Sequence, residues 1–244
     1  MAGALELEAF EAAAGQSVLV VFAHPDDAEF GCGGTIALLA AAGATVFYAV
    51  ATSGDKGDDE GSRTPAELAG LRKTEQRSAA AELGVSDVFF LDREDGSLFY
   101  GPELRGEVVR LIRQLKPDMV FTFDPTVVFD EYGEVNHADH RAIGLAAVDA
   151  CHPFARGALC YPEQISQGLA PHRVREIFLW STNAPNCLVE ITKTLVKKSS
   201  ALAMHKSQFP DPHSVQQTVI DRARSAGRLA GVEYAEPFRR IRLR

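Results

Sequence analysis

Residues 16–35, QSVLVVFAHPDDAEFGCGGT, run from an apolar segment through a histidine and two aspartates into a glycine-rich segment. The first eight, QSVLVVFA, form a continuous β-branched run, which is typical of a parallel strand covered on both faces. Residues 33–42, GGTIALLAAA, have the composition of a helix, and Gly43 is placed to end it. The stretch therefore predicts a buried strand followed by a helix, the opening unit of an α/β fold.

The same alternation continues to residue 151. Further strands are predicted at 44–52, 87–92 and 118–124, and helices at 65–83, 102–116 and 139–151. Thr64 before Pro65 has the pattern of a helix N-cap, and Pro117 stops the helix that precedes it. Residues 53–63, SGDKGDDEGSR, predict a polar, mobile loop. The alternation of strand and helix predicts a Rossmann-like, doubly wound and mostly parallel sheet.

The pattern changes after Pro153. Strands are predicted at 176–182 and 186–192, followed by helices at 193–207 and 214–229. The arginines near the end (Arg239, Arg240, Arg242 and Arg244) are expected to form a solvated tail. The chain shows neither an internal repeat nor a low-complexity linker. We therefore expect a single domain over residues 1–244, with a motif-bearing core at 16–210 and a modified C-terminal third.

Composition narrows the class of protein. A net charge of −8 over 244 residues argues against nucleic acid or an anionic membrane surface as a partner. No apolar run approaches the eighteen residues of a membrane span, so membrane insertion is not expected. The four cysteines form no C-x-x-C pair, and the first sixteen residues carry three glutamates and no basic residue. The cytoplasm is the default location.

Ionisable residues follow two of the predicted strands. His24, Asp26 and Asp27 follow the first strand, while the segment NHADHRA at 136–142 follows the fourth. In open α/β sheets, ligands bind beyond the carboxyl ends of the strands. Histidine nitrogens and carboxylate oxygens suit zinc, and a catalytic zinc typically has three protein ligands and an open position. One such cluster alone would be read as a helix cap or a loop, but two at one edge favour a metal site.

These residues resemble a known family. His24-Pro25-Asp26-Asp27, followed by Glu29 and GGT at 33–35, resembles the first signature of the PIG-L/LmbE-like deacetylases, and HADH at 137–140 resembles the second. These are zinc-dependent N-acetylglucosaminyl deacetylases. Weaker matches in the same order are TSGD at 52–55, Arg72-x-x-Glu75, DG-x-L at 95–98, HKSQ at 205–208 and AEPF at 235–238.

The resemblance implies a metal-dependent hydrolase that removes the acetyl group from an N-acetylated amino sugar or a related small-molecule amide. His24, Asp27 and His140 would bind Zn²⁺, although Fe²⁺, Co²⁺ or Mn²⁺ suit the same ligands. Asp26 matches the general base and His137 the general acid. Relatives often form trimers or hexamers, so a homo-oligomer is possible.

Other residues are expected to contact or orient the reacting groups. Asp139 is expected to orient a neighbouring imidazole. Arg72 and Asp95 are candidates for substrate contact, with pairing to Glu75 as the alternative for Arg72. Asp55 lies on the loop at 53–63, which could act as a lid.

One position departs from the family. Where relatives carry a tyrosine just before the histidine pair, this chain has Val135. Tyr132, three residues earlier, is the candidate for contact with the oxyanion, and a surface loop tyrosine is the alternative.

Three other functions are alternatives to the deacetylase. A catalytically inactive metal- or sugar-binding relative would not need Asp26 and His137. An amidase for a non-acetyl amide would share the same site. A dinucleotide-binding protein would need glycine or alanine at position 36, where this chain has Ile36, and it would leave His24 and His140 unexplained.

Overall fold

The computed structural model describes residues 5–10, 13–58, 60–130 and 133–244. The strands in these ranges are β1 (Glu6–Glu8), β2 (Ser17–Phe22), β3 (Thr45–Thr52), β4 (Asp87–Arg93), β5 (Met119–Phe123), β6 (Glu176–Trp180), β7 (Cys187–Glu190) and β8 (Ala235–Arg242). The helices are α1 (Asp27–Ala41), α2 (Pro65–Leu83), α3 (Pro102–Leu115), α4 (Ala138–Cys151), α5 (Pro162–Ser166), α6 (Leu195–Leu202) and α7 (Pro212–Ala230).

The described strands form one sheet in the order β1-β7-β8-β6-β5-β2-β3-β4. The strands from β6 to β4 in this order are all parallel, and β8 runs antiparallel to both β6 and β7. This confirms the predicted Rossmann-like, mostly parallel sheet and the modified C-terminal third. The chain moves outward from β2 to β3 on one side, while β5 lies on the other side. The strand order therefore reverses between β2 and β5, which creates a crevice at their carboxyl ends.

The core lies on both faces of the central strands. Val18 to Phe22 of β2 have no exposed surface, as the continuous apolar run predicts. Phe121 of β5 stacks on Phe178 of β6 with ring centroids 4.6 Å apart. Since β2 and β5 are fixed by this packing, the loops at their carboxyl ends start from rigid positions.

Helix α1 begins earlier than its composition predicts, at Asp27 and not at Gly33. The glycines of its first turns lie where other elements approach closely. A Cβ atom at Gly31 would lie 2.7 Å from the ring of Trp180, and one at Gly34 would lie 2.8 Å from Ile191. Glycine here serves packing although it weakens a helix interior, and this is why the segment resembles a loop in sequence.

Three of the four C-terminal arginines belong to a strand, so the expectation of a solvated tail is wrong for them. Arg239, Arg240 and Arg242 belong to β8. The guanidinium of Arg240 lies 2.9 Å from Glu8 of β1 and 2.8 Å from Glu176 of β6. Acidic partners on neighbouring strands neutralise these arginines, so a basic stretch can occupy the interior of the sheet.

Helix α2 starts with the predicted cap and lies beside the crevice. The Thr64 hydroxyl accepts a hydrogen bond from the main-chain N–H of Glu67, and the Glu67 carboxylate accepts one from the main-chain N–H of Thr64. This reciprocal pair is a capping box. None of the helices in the described ranges combines the length and apolar composition that crossing a membrane requires.

Candidate active site

The crevice between β2 and β5 brings the two ionisable clusters together. The ring of His24, at the end of β2, lies with its centroid 4.8 Å from that of His137 and 5.2 Å from that of His140. His137 and His140 stand at the start of α4, which follows β5. Asp27 is the first residue of α1 and lies between His24 and His140.

The two ring nitrogens of His24 face different carboxylates. Nδ1 lies 3.5 Å from Oδ2 of Asp27, while Nε2 lies 3.0 Å from Oδ1 of Asp95 and 3.4 Å from Oδ2 of Asp139. Burial lowers the pKa of His24, but Asp139, Asp27 and Asp95 together raise that pKa to about 12. Because two carboxylates flank Nε2, this nitrogen keeps a proton, and Nδ1 is the nitrogen that can ligate a cation beside Asp27.

The orientation of His140 is fixed by Asn136. The side-chain N–H of Asn136 donates to the carbonyl of Val127 at 2.9 Å, so its oxygen must face the imidazole. Nδ1 of His140 lies 3.0 Å from that oxygen and therefore carries the proton. Nε2 then faces Oδ1 of Asp27 at 3.2 Å. The ring also stacks on Phe123, with centroids 3.9 Å apart.

The donor set fits a divalent metal. Burial raises the pKa of Asp27, but His140 and His24 lower it further, so the carboxylate is ionised. Without a metal, protonated His24 pairs with this carboxylate, as its raised pKa indicates. A divalent cation could take the place of that proton between Nδ1 of His24, Nε2 of His140 and Asp27, and nitrogen–nitrogen–carboxylate sets are typical of catalytic metal centres. Among the described residues, two groups have ligand atoms that all lie within 4.8 Å of one another: His24, His137 and His140, and His24, Asp95 and Asp139. Asp27 belongs to neither group, although it contacts both His24 and His140.

Asp26 lies beside this cluster at the N-cap of α1. Its carboxylate oxygen Oδ2 lies 3.2 Å from the guanidinium of Arg72. Burial raises the pKa of Asp26 to about 7, with Arg72 acting against burial and Asp27 adding to it. A carboxyl group with a pKa near 7 can exchange a proton efficiently at neutral pH.

His137 has one free ring nitrogen that faces the crevice. Its Nδ1 accepts a hydrogen bond of 3.1 Å from the main-chain N–H of Asp139, which caps α4. Nε2 is therefore the nitrogen that carries the proton of the neutral ring. Burial and the neighbouring His24 lower the pKa of His137. The ring is exposed, so Nε2 is accessible to a bound molecule.

Asp139 lies behind His24 and holds the turn that follows β4. Its two carboxylate oxygens accept hydrogen bonds from the main-chain N–H groups of Gly96 at 2.8 Å and Leu98 at 3.1 Å. Burial raises the pKa of Asp139, but His24 and these N–H groups lower it below the usual range. The carboxylate therefore stays charged next to Nε2 of His24.

Arg72 uses its donors on the protein itself. It is 4% exposed and donates to the carbonyls of Pro25 at 2.6 Å and Gly54 at 3.0 Å. A side chain at Gly54 or Gly57 would collide with the guanidinium, so these loop glycines wrap around Arg72. This placement supports a role in holding the loop and Asp26.

Asp95 and Asp55 lie between the loop and His24. Oδ2 of Asp95 accepts a hydrogen bond from the main-chain N–H of Lys56, while its Oδ1 faces His24. Oδ1 of Asp55 accepts one from the main-chain N–H of Asp95. Both carboxylates therefore tie the loop at 53–58 to His24. Tyr132, the candidate for oxyanion contact, lies outside the described residues.

Two contributors to the site were missed in the sequence. Asn136 is the first residue of the NHADHRA segment, and its position four residues before His140 is a signal that could have identified it. Gln76 of α2 belongs to no recognisable motif. Its side-chain oxygen nevertheless accepts a hydrogen bond of 2.9 Å from the main-chain N–H of Asp26. Only the tertiary arrangement of α2 reveals this contact.

The fold and the site together define a doubly wound α/β protein with a His/Asp cluster suited to a divalent metal. Residues 19–151 match the family model described as PIG-L, GlcNAc-PI de-N-acetylase. The chain therefore belongs to the PIG-L family, as its motifs indicate.

Individual relatives agree with this assignment. The chain is 33% identical over 229 residues to diacetylchitobiose deacetylase from Thermococcus kodakarensis, covering 92% of this chain and 82% of that protein. It is 31% identical over 196 residues to a probable N-acetyl-alpha-D-glucosaminyl L-malate deacetylase 2 from Bacillus cereus, covering 78% and 83%. The solved structure of N,N'-diacetylchitobiose deacetylase from Pyrococcus horikoshii superposes with a TM-score of 0.86 at 33% identity, covering 93% of this chain and 84% of that one.

Proposed function

We propose that this protein hydrolyses the acetamide bond of an N-acetylated amino sugar, releasing acetate and a free amine. One observation carries the proposal: Nδ1 of His24 and Nε2 of His140 lie 3.5 Å and 3.2 Å from the two oxygens of the Asp27 carboxylate. The names of its relatives support the substrate class, because diacetylchitobiose and N-acetyl-glucosaminyl malate both contain an N-acetylglucosamine unit.

His24, Asp27 and His140 are proposed to hold Zn²⁺, for which two imidazoles, one carboxylate and an open position are a suitable environment. Fe²⁺, Co²⁺ and Mn²⁺ accept the same ligands. When bound, the metal would supply Lewis acidity, which acidifies a water molecule and polarises the acetamide carbonyl. Asp139 and Asp95 would keep the ring of His24 oriented through its Nε2.

Asp26 and His137 are proposed to move the protons. Asp26 would accept a proton from the attacking water, a role that its raised pKa supports. His137 would donate a proton from Nε2 to the amine nitrogen as an imidazolium, a form in which its Nδ1 no longer accepts from the main-chain N–H of Asp139. An amine leaves poorly unless it is protonated, so both transfers are needed.

Substrate contacts are proposed at the loop beside the crevice. Asp55 and its neighbours at 53–58 are placed to read groups beyond the acetamide. The bonding of Arg72 and Asp95 supports positioning roles, and Tyr132 stays a prediction. Assembly into a trimer or hexamer also stays a prediction of the family resemblance.

Acetate release tests this proposal. The zinc-loaded protein should release equal amounts of acetate and amine from at least one of N-acetylglucosamine, N,N'-diacetylchitobiose and N-acetyl-glucosaminyl malate. Chelator treatment should abolish release, and added Zn²⁺ should restore it. Asp26→Asn is the matched variant, because it should retain the metal and lose turnover. Absence of release from every N-acetyl sugar by metal-loaded protein would contradict the proposal, and release from N-formyl or N-propionyl analogues alone would favour a different amidase.

A further inference from the structure

The peptide unit between Pro25 and Asp26 is held at both of its polar groups by helix α2. Its carbonyl accepts a hydrogen bond of 2.6 Å from Nη2 of Arg72. Its N–H donates to Oε1 of Gln76 at 2.9 Å. Arg72 and Gln76 are four residues apart, so they lie on the same face of α2. One face of one helix therefore fixes the plane of this peptide.

This peptide sets an unusual backbone conformation. Asp26 has φ of 104° and ψ of −26°, in the left-handed region that non-glycine residues rarely adopt. The orientation of the Pro25–Asp26 peptide determines that φ. A strained conformation persists only where surrounding contacts over-determine it, and the two bonds from α2 supply such contacts.

Gln76 also connects Asp26 to a buried charge pair. Its Nε2 donates to Oε1 of Glu29 at 3.0 Å, and Oε2 of Glu29 lies 3.3 Å from Nε2 of His205. Gln76, Glu29 and His205 are each 0% exposed. Because the amide oxygen faces an N–H and the amide nitrogen faces a carboxylate, the orientation of the Gln76 side chain is fixed.

The arrangement is a capping box with a side chain inserted into it. Glu29 stands at the third position of α1, where a glutamate ordinarily accepts directly from the N–H of the N-cap residue. Here Gln76 accepts from Asp26 and donates to Glu29. The Asp26 side chain makes no capping bond of its own, and its Oδ2 accepts a hydrogen bond of 3.2 Å from Nη2 of Arg72.

We propose that Gln76, supported by Glu29 and acting with Arg72, is a positioning residue that clamps the Pro25–Asp26 peptide and thereby aims the Asp26 carboxylate into the crevice. The proposal rests on the proposed function, in which Asp26 is the general base. Neither Gln76 nor Glu29 touches the substrate. Their effect reaches the reaction only through Asp26.

The first test is Gln76→Met, which keeps the length of the side chain and removes both hydrogen bonds. We expect kcat to fall about 10- to 100-fold, because loss of orienting contacts behind a reacting group has effects of this size. KM and bound metal should stay within about twofold of the wild-type values. Gln164→Met is the matched control, since Gln164 is also buried and hydrogen-bonded but lies on α5, away from the crevice. It should lower the melting temperature and leave kcat unchanged.

A double substitution separates positioning from general structural damage. In the Asp26→Asn background, Gln76→Met should cause no further loss, because the group through which it acts is gone. An additional loss of similar size in that background would overturn the proposal. Unchanged kcat in folded Gln76→Met would overturn it as well.

A charge exchange covers the case in which Gln76→Met does not fold. Gln76→Glu places two carboxylates together and should lower kcat, as should Glu29→Gln alone. The pair Gln76→Glu with Glu29→Gln rebuilds the chain of donors and acceptors, so it should recover most of the lost kcat. The proposal is contradicted if kcat of the pair does not exceed kcat of either single variant.

The wild-type protein is assayed alongside the variants. If the wild type releases no acetate, both the proposed function and this inference are refuted. If the wild type is active and the variants have the same kcat, only this inference is refuted.

Discussion

At the scale of single residues, the site depends on side chains that determine which nitrogen of each imidazole holds the proton. Asn136 does this for His140, because its own N–H is committed to the carbonyl of Val127. The paired carboxylates Asp95 and Asp139 do it for His24. The proposed metal ligands thus owe their orientation to groups that would not touch the metal.

Asn136→Ala should weaken metal binding about 10- to 100-fold, as is usual when the partner of a ligating histidine is removed. Without the carboxamide, the ring of His140 loses the acceptor that fixes its tautomer. Titration against a competing chelator measures the effect. Asn186→Ala is the control, since Asn186 bonds to the main chain of Arg240 at another part of the sheet. Equal metal affinity in the two variants would mean that Asn136 does not orient His140.

The pKa of Asp26 leads to a pH prediction. Burial raises this pKa to about 7, and only the deprotonated carboxylate can accept a proton. Activity should therefore fall as the pH drops through about 7, and a cation bound at Asp27 would shift the fall to lower pH. A kcat/KM profile of the metal-loaded protein between pH 5 and pH 9 provides the measurement. A rate that increases steadily from pH 7 down to pH 5 would exclude Asp26 as the base.

At the scale of elements, α1 shows where sequence patterns fail. Its helical character was predicted, but its start was placed six residues late because glycine is a poor helix former. The glycines are required by neighbours distant in sequence, Trp180 and Ile191. The opposite holds for α2, whose boundaries follow from local signals: Thr64 and Pro65 at its start and Gly84 at its end. Helix boundaries set by local capping residues can be predicted from the sequence, whereas close contacts between distant elements cannot.

Gly31→Ala should destabilise the protein by about 1–3 kcal/mol, the usual cost of forcing an extra group into a packed interior. Its Cβ would lie 2.7 Å from Trp180. Gly70→Ala is the control in an exposed part of α2, where nothing lies within 4 Å of the added atom. That substitution should stabilise the protein by about 0.5–1 kcal/mol through helix propensity alone. Urea unfolding of both variants measures the difference, and a stabilising Gly31→Ala would show that α1 can shift away from β6.

At the scale of the whole molecule, the convergence of the two clusters was predictable because both follow parallel strands, whose carboxyl ends share one edge. The motifs at 72–75 and 205–208 were recognised in the sequence, but the contacts of Arg72 and Gln76 with Asp26 and of His205 with Glu29 were not, since they depend on how helices pack over the sheet. Strand β8 was also missed, because arginine-rich segments rarely occupy sheet interiors. Its acidic neighbours on β1 and β6 explain the exception.

Strand β8 also holds α1 through a buried ion pair. Glu236 accepts from the main-chain N–H groups of Gly34 and Thr35 and lies next to Lys198, with both charged side chains at most 5% exposed. Glu236→Leu should cost about 3–5 kcal/mol, because it leaves the ammonium of Lys198 buried without its partner. Urea unfolding of this variant and of Glu236→Leu with Lys198→Met tests the coupling. The double variant should be more stable than the single one, and simple additivity of the two losses would contradict the prediction.

The strand order has a consequence for the timing of assembly during synthesis. Strand β1 pairs only with β7 among the described strands, and β7 reaches the remainder of the sheet through β8. Of the described strands, β1 is synthesised first and β8 last, so β1 can join the hydrogen bonds of the central sheet only after β8 has been made. Until then, the parallel strands from β2 to β6 can pair among themselves, and the edge of β6 stays unpaired. An unpaired edge strand can pair with another chain, so the chain is most exposed to aggregation in the interval before β8 is made.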